Sequence, residues 1–268
     1  MKKSIIIVCT VLLTLSLVAF SFMNGKSDVT AMTEISSIEP IAMNELKDEK
    51  PNKKSVTNFY FDLSTRYKSF KKTELNKVKY FDDFIAEEHA GRIISYKSLS
   101  VIVIENDKQT DNKVTGDSSV LSPAQLELLQ SSDYSTNLLI KADYTEKSFH
   151  TGAIEESTWT PYITVVPEKQ AAYAWGNEAL IYFLEKHSQD VTANLAKDQL
   201  QSGILYFTVS KEGAVLNAKI MSSSGFPNVD EKVKELIFKL PGNWQPAETI
   251  HGDKVDQTLV ISFGRMGC

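Results

Sequence analysis

The chain has 268 residues, of which 42% are hydrophobic and 24% charged, and its formal net charge is −5 at pH 7. These proportions exclude a wholly disordered or collagen-like chain, and the acidic balance gives no basic face for a nucleic-acid partner. The two cysteines, Cys9 and Cys268, lie near the start and at the end of the sequence, which excludes a disulfide framework and a zinc site built from cysteine.

The chain begins with a short basic segment followed by a long uncharged one. Lys2 and Lys3 precede residues 4–23, which carry no charge. Such a start is typical of a secretory signal peptide or a membrane anchor, and Ala19 and Ser21 offer small residues for a cleavage site. We therefore predict that residues 1–23 are a signal peptide or membrane anchor. The rest of the chain is then periplasmic, either soluble after cleavage or anchored in the inner membrane by residues 4–23.

Two segments of different character follow the leader. Residues 24–55 are polar and mixed in charge, and we interpret them as a flexible linker. Residues 56–167 predict a β-rich middle domain, because runs of aromatic and β-branched residues alternate with polar segments. Ser122 followed by Pro123 predicts the start of one short helix. The predicted strands are residues 58–63, 93–104, 136–144 and 160–166, with a polar loop at residues 105–119.

One stretch of the middle domain is rich in potential ligands for a metal ion. Its spacing follows neither a zinc-protease motif nor a calcium loop, so we interpret it as the solvated face of a helix. A hydrolase that uses its carboxylates is an alternative hypothesis. No nucleophile elbow, phosphate loop or dinucleotide motif occurs elsewhere, and we predict no enzyme, no catalytic residue, no cofactor and no metal. The residues of this stretch are Asp82, Asp83, Glu87, Glu88 and His89.

The last hundred residues predict helix, hairpin, helix and strand. Asn177 is the predicted cap of the first helix, and Gly213 allows the positive φ of the hairpin turn. An amphipathic stripe at i, i+4, i+7 and i+8 from Val229 predicts the second helix. The fold class is thus α+β, with a small antiparallel three-stranded sheet and two helices in residues 170–266. The predicted strands are residues 203–209, 214–221 and 255–263.

Several short motifs of this region resemble the C-terminal domain of TonB-type energy transducers, over residues 172–263. They are GNEAL at residues 176–180, FTVSKEG at 207–213, SSG at 223–225, LPGNWQPA at 240–247 and the terminal strand at 255–263. The resemblance implies a TonB-like protein that takes part in TonB-dependent transmembrane transport. Its implied partner is a short segment of an outer-membrane TonB-dependent receptor. Trp244 is expected to anchor the core.

A small open sheet leaves unpaired backbone groups at its edge, and an extended peptide can add there as a further strand. We predict the last strand to be that edge. The alternative is an envelope structural or assembly protein that forms a homodimer through the same edge. The predicted binding residues are Val255, Asp256, Gln257, Thr258, Leu259, Val260, Ile261, Ser262 and Phe263.

The chain departs from full transducers in three respects. Its apolar start has no histidine, its linker is not a long proline-rich spacer, and residues 186–201 lack the family's tyrosine-proline pair. In the family the missing histidine couples the membrane helix to the inner-membrane motor. We therefore expect a binding protein rather than a motor-coupled transducer.

Overall fold

The computed structural model describes residues 59–196 and 198–266, which lie within one compact unit. The predicted leader, residues 1–23, and linker, residues 24–55, lie outside the described residues. Strands predominate and the helices are short, which confirms the mixed α+β class. The strands are β1 (Tyr60–Ser64), β2 (Lys68–Lys71), β3 (Ile93–Glu105), β4 (Lys108–Gly116), β5 (Asn137–Lys147), β6 (Ile154–Trp159), β7 (Tyr162–Val166), β8 (Ala172–Tyr173), β9 (Ser202–Val209), β10 (Val215–Ser222), β11 (Trp244–Gln245), β12 (Ala247–Glu248), β13 (Lys254–Val255) and β14 (Gln257–Gly264). The helices are α1 (Lys72–Leu75), α2 (Glu87–Ala90), α3 (Pro123–Ser131), α4 (Asn177–His187), α5 (Gln189–Thr192) and α6 (Pro227–Phe238), and a 3₁₀ turn spans Phe81–Phe84.

The first sheet has the strand order β1-β14-β9-β10, with every neighbouring pair antiparallel. Alternate side chains of β9 and β14 point to one face, where Leu205, Phe207 and Ile261 are fully buried. Helices α4 and α6 contribute their apolar sides to the same core, including Leu180 and Val233. The sequence predicted three strands in this sheet. The structure has four, because β1 joins it from the far end of the chain.

Strand β1 changes the predicted division of the chain. Residues 56–167 were expected to form one domain, yet β1 pairs with β14 while β2 pairs with β7 of the other sheet. Only Thr65–Tyr67 separate the two strands. Each sheet therefore takes a strand from the same short segment, and the predicted boundary does not separate the two sheets.

The second sheet runs β2-β7-β5-β3-β4, with β6 also paired to β5. The β2–β7 pair is parallel, and the other pairs are antiparallel. One face packs against α1, the 3₁₀ turn and α3, and buries Leu75, Phe81 and Leu129 among the strand residues. On the other face a smaller cluster around Ile102 and Leu139 is partly covered by aromatic rings.

Three strands of this sheet, β2, β4 and β6, were not predicted. β4 occupies the segment expected to be a polar loop, and β6 contains the Glu155–Glu156 pair. Both lie at an open side of the sheet and are mostly exposed, so they lack the apolar alternation that identifies a half-buried strand. Asn106 and Asp107 join β3 to β4 with φ of 49° and 60°, the left-handed conformation of a type I′ hairpin turn.

The local signals at helix starts had mixed outcomes. The predicted start of α3 is confirmed, with Ser122 as the cap and Pro123 as the first helical residue. A capping box also forms there: Gln125 N donates to Ser122 Oγ at 3.3 Å, and Ser122 N donates to Gln125 Oε1 at 2.8 Å. The cap of α4, in contrast, is Gly176 rather than the predicted Asn177. Gly176 has φ of 86°, a conformation that glycine adopts without steric cost.

Short strand pairs close the core of the first sheet. β11 pairs with β8, and β12 pairs with β13. Trp244 is 6% exposed, and its ring lies 5.6 Å from Tyr173 and 5.3 Å from Phe207. The prediction that Trp244 anchors the core is therefore confirmed.

Candidate functional site

Strand β1 covers part of the predicted binding edge at Val255–Phe263. β14 lies between β9 and β1, and every residue of β1 has a partner in β14, from Tyr60 with Gly264 to Ser64 with Val260. Val255 belongs to β13, and Asp256 accepts a hydrogen bond from Lys211 N at 2.8 Å. The prediction of a free edge was therefore wrong for residues 260–263, because it did not include a strand from an earlier part of the chain.

Aromatic packing holds β1 in place. Phe59 and Phe61 are 7% and 8% exposed, and both belong to the core of the first sheet. Their ring centroids lie 6.4 Å from that of Phe263 and 5.2 Å from each other. Burial of two phenylalanine side chains stabilises this arrangement by roughly 3–6 kcal/mol. A guest strand would have to overcome that contribution to reach β14.

The open edge of the first sheet is β10, and it faces a groove. A cavity of about 580 Å³ separates this strand from the start of the β3–β4 hairpin. Among the described residues, β10 and β4 are outer strands of their sheets, and residues of both line the groove. The lining residues are Glu105, Asn106, Lys108, Gln109, Thr110, Lys219, Ile220 and Met221.

The β10 edge is irregular. Its register against β9 shifts between Leu216 and Lys219 and again between Ile220 and Ser222. Asn217 has φ of 56°, and the Lys219 ammonium donates to Asn106 Oδ1 at 3.3 Å across the groove. Bulges and edge lysines oppose long, flat pairing between sheets. This edge therefore favours a short extended segment over a second sheet.

An ion pair and a hydrogen bond to Asp107 fix the hairpin that forms one wall of the groove. Arg66 donates to both carboxylate oxygens of Asp107 at 2.8 and 3.0 Å, and the Tyr206 hydroxyl donates to Asp107 Oδ1 at 3.0 Å. Burial opposes the charged form of Arg66, but the hydrogen bonds to Asp107, the Asp107 charge and the nearby Tyr206 and Tyr67 together raise the pKa of Arg66. Burial, with the nearby Asp107 charge, raises the pKa of Tyr206. These contacts link β9 of the first sheet to the β3–β4 hairpin of the second sheet.

The acidic stretch of the middle segment does not converge on one point. Asp82 accepts from the Tyr96 hydroxyl at 2.9 Å, and Asp83 accepts from the backbone N–H groups of Lys79 and Tyr80. Glu87 and Glu88 are exposed on α2. The expected helix is split into the 3₁₀ turn and α2. Across residues 59–196 and 198–266, no group of three His, Cys, Asp or Glu side chains is arranged to hold a metal ion.

His89 belongs to a second polar cluster, which sequence reasoning did not identify. His89 Nε2 lies 2.6 Å from the Tyr144 hydroxyl, and an Arg92 terminal nitrogen lies 3.1 Å from Nδ1. Glu146 Oε2 lies 3.7 Å from His89 Nε2 and 3.6 Å from the Arg92 guanidinium. Since Arg92 only donates, Nδ1 accepts, and the proton lies on Nε2. The packing of α2 against β5 brings His89 to Tyr144 and Glu146, so no local motif could reveal the cluster.

No protein-family model, no curated protein and no solved structure matches this chain. Within the part of the chain that the structure describes, no helix has both the length and the apolar character needed to cross a membrane. The predicted anchor at residues 4–23 lies outside that part.

Proposed function

We propose that this chain is an exported TonB-like binding protein that captures an extended peptide segment in the groove between β10 and the β3–β4 hairpin. The proposed partner is an outer-membrane transporter, as the sequence resemblance implies. The role is binding rather than catalysis, and no coupling to an inner-membrane motor is included. The observation that carries the proposal is the free β10 edge, which lines a groove large enough to hold a few residues of guest chain.

The order of elements supports this proposal. Helix α4, the β9–β10 hairpin, helix α6 and strand β14 follow the sequence that the resemblance implies. The unpaired backbone groups of β10 can add a guest strand, and main-chain hydrogen bonds would supply much of the affinity. The groove mixes one carboxylate, Glu105, with two ammonium groups, Lys108 and Lys219. A guest with both polar and weakly acidic residues therefore fits it best.

Self-association through the same sheet is the alternative. It requires two copies of an edge to pair over a long, flat register. The register shifts in β10 and the covered edge of β14 both oppose such pairing. The irregular edge is therefore an argument for a short guest segment rather than a second copy.

Photo-crosslinking in the native host tests the proposal. A photoreactive phenylalanine analogue replaces Met221, which lines the groove, and adducts are identified by mass spectrometry. We expect an adduct with an outer-membrane transporter, with the crosslink in an extended segment of that partner. The matched control carries the same analogue at Phe238, an exposed position on α6.

Three outcomes would contradict the proposal. They are no adduct from position 221, the same transporter adduct from position 238, and an adduct with a second copy of this chain. The last result would favour the self-association hypothesis, and sedimentation of the same sample would show a dimer.

A further inference from the structure

The polar cluster around His89 contains two buried atoms without hydrogen-bond partners. They are Glu146 Oε2 and Arg92 Nε. The ionic contacts of Glu146 Oε2, at 3.7 Å to His89 Nε2 and 3.6 Å to an Arg92 terminal nitrogen, are too long for hydrogen bonds. An unsatisfied buried polar group costs about 1–3 kcal/mol. One of these atoms is an acceptor and the other a donor, and a single hydroxyl group can donate to the first while accepting from the second.

Two exposed aromatic rings lie beside the same cluster. The Trp159 ring centroid is 4.4 Å from that of His89, and Trp159 is 41% exposed. Phe149 is 73% exposed, and its ring centroid is 6.0 Å from Arg92 Cζ. Exposed apolar surface next to fixed polar groups is typical of a binding site. The negative face of an aromatic ring attracts C–H groups, and a pyranose ring presents C–H groups on one face and hydroxyls around its rim.

The charges of the cluster indicate which class of ligand it can bind. Glu155 lies directly opposite Glu146 across the β5–β6 pair, so two carboxylates accompany the single guanidinium of Arg92. An excess of carboxylates repels phosphate and carboxylate ligands. A buried acceptor beside a buried donor suits a hydroxyl group, which can serve both, so a neutral ligand rich in hydroxyls fits the cluster.

We propose that Trp159, Arg92 and Glu146 form a binding site for a neutral saccharide. The sugar ring packs its C–H face on Trp159, and one of its hydroxyls bridges Glu146 Oε2 and Arg92 Nε. Both atoms are buried in the structure. Rotation of the exposed Phe149 side chain away from Arg92 provides the access. This site lies on β5 and β6, and it does not share lining residues with the groove at β10.

Calorimetric titration of the full-length chain in a sugar-free detergent tests the inference. The probes are chitotetraose, cellotetraose and maltotetraose. We expect at least one to bind at millimolar concentration or below. Trp159→Ala and Glu146→Gln should each weaken that binding by roughly tenfold, the equivalent of about 1.4 kcal/mol. Phe238→Ala, which removes an exposed ring from α6, should leave it unchanged.

Circular dichroism of each variant checks that the fold is retained. Three results would overturn the inference: none of the three tetrasaccharides binds, a correctly folded Trp159→Ala chain binds as the parent does, or tetralysine binds to the same site in place of the sugars. Met221→Glu, in the groove, should leave saccharide binding unchanged, so this test fails or succeeds independently of the proposed peptide binding.

Discussion

Phe61 of β1 stacks on Phe263 of β14, with ring centroids 6.4 Å apart and ring planes 23° from parallel. The two residues are also direct partners in the antiparallel register of the first sheet. This contact joins the first described strand of the chain to the last. The edge of the sheet that was predicted to be open is thereby covered by the chain itself at residues 260–264, and β10 is the outer strand on the other side among the described residues.

The first prediction concerns the stability that this contact supplies. Phe61→Ala should lower the free energy of unfolding by about 3–5 kcal/mol, because it removes a buried ring and leaves a cavity. Phe238→Ala removes the same ring at an exposed position. It should change the free energy of unfolding by less than about 0.5 kcal/mol. Urea unfolding followed by circular dichroism measures both. Equal values for the two variants would mean that β1 is not part of the core.

The second prediction concerns the turn that leads into α6. The Asp230 carboxylate is 6% exposed and accepts from Ser224 N at 2.9 Å, Ser224 Oγ at 2.7 Å and Ser223 Oγ at 2.5 Å. Asp230→Ala should lower the free energy of unfolding by about 1–3 kcal/mol, because it leaves these donors unsatisfied. Its neighbour Glu231, whose side chain is 73% exposed, provides the matched control. Glu231→Ala should change stability by less than about 1 kcal/mol, and a similar loss in both variants would contradict the buried role of Asp230.

The third prediction follows from the raised pKa of Tyr206, caused first by burial and then by the charge of Asp107. A tyrosine whose pKa is higher in the folded than in the unfolded state contributes stability that is fully present below the unfolded value. That contribution is lost as the pH rises from the ordinary tyrosine value of 10.0 through the folded-state pKa.

Denaturant unfolding between about pH 8 and pH 11 measures this effect. The parent chain should lose more stability over this rise than the Tyr206→Phe chain, which cannot ionise at that position. Other tyrosines with raised pKa values, such as Tyr173, contribute equally to both chains and cancel in the difference. Parallel pH profiles for the two chains would contradict the prediction.

Local signals in the sequence were sufficient for several elements of the fold. Ser122 caps α3 as predicted, Gly213 provides the predicted turn with φ of 83°, and the stripe from Val229 lies on the buried side of α6. In each case the interaction that fixes the structure joins residues close in the chain, and composition and spacing reveal it directly.

Long-range pairing could not be predicted in the same way. Residues 58–63 have the composition of a strand, but nothing in them specifies β14 as the partner. Strands β4 and β6 are exposed and lack apolar alternation. The cluster of His89, Tyr144 and Glu146 exists only because β5 and α2 meet in space. These features depend on register between distant strands, which a single sequence does not display.

The fourth prediction tests the central claim, that a partner enters at the β10 groove and not at β14. Asp62 and Ser262 are direct partners across β1 and β14, so Asp62→Cys with Ser262→Cys allows a disulfide to lock the two strands together. Cys9 and Cys268 are changed to Ser to prevent other pairings. The locked chain carries the photoreactive residue at position 221 and is mixed with outer-membrane extract, before and after reduction of the disulfide.

We predict the same transporter adduct, in similar yield, from the locked and the reduced protein, because the partner does not need β1 to leave. If the adduct forms only after reduction, the partner must displace β1 and pair with β14, and the assignment of the binding site to the β10 groove is wrong.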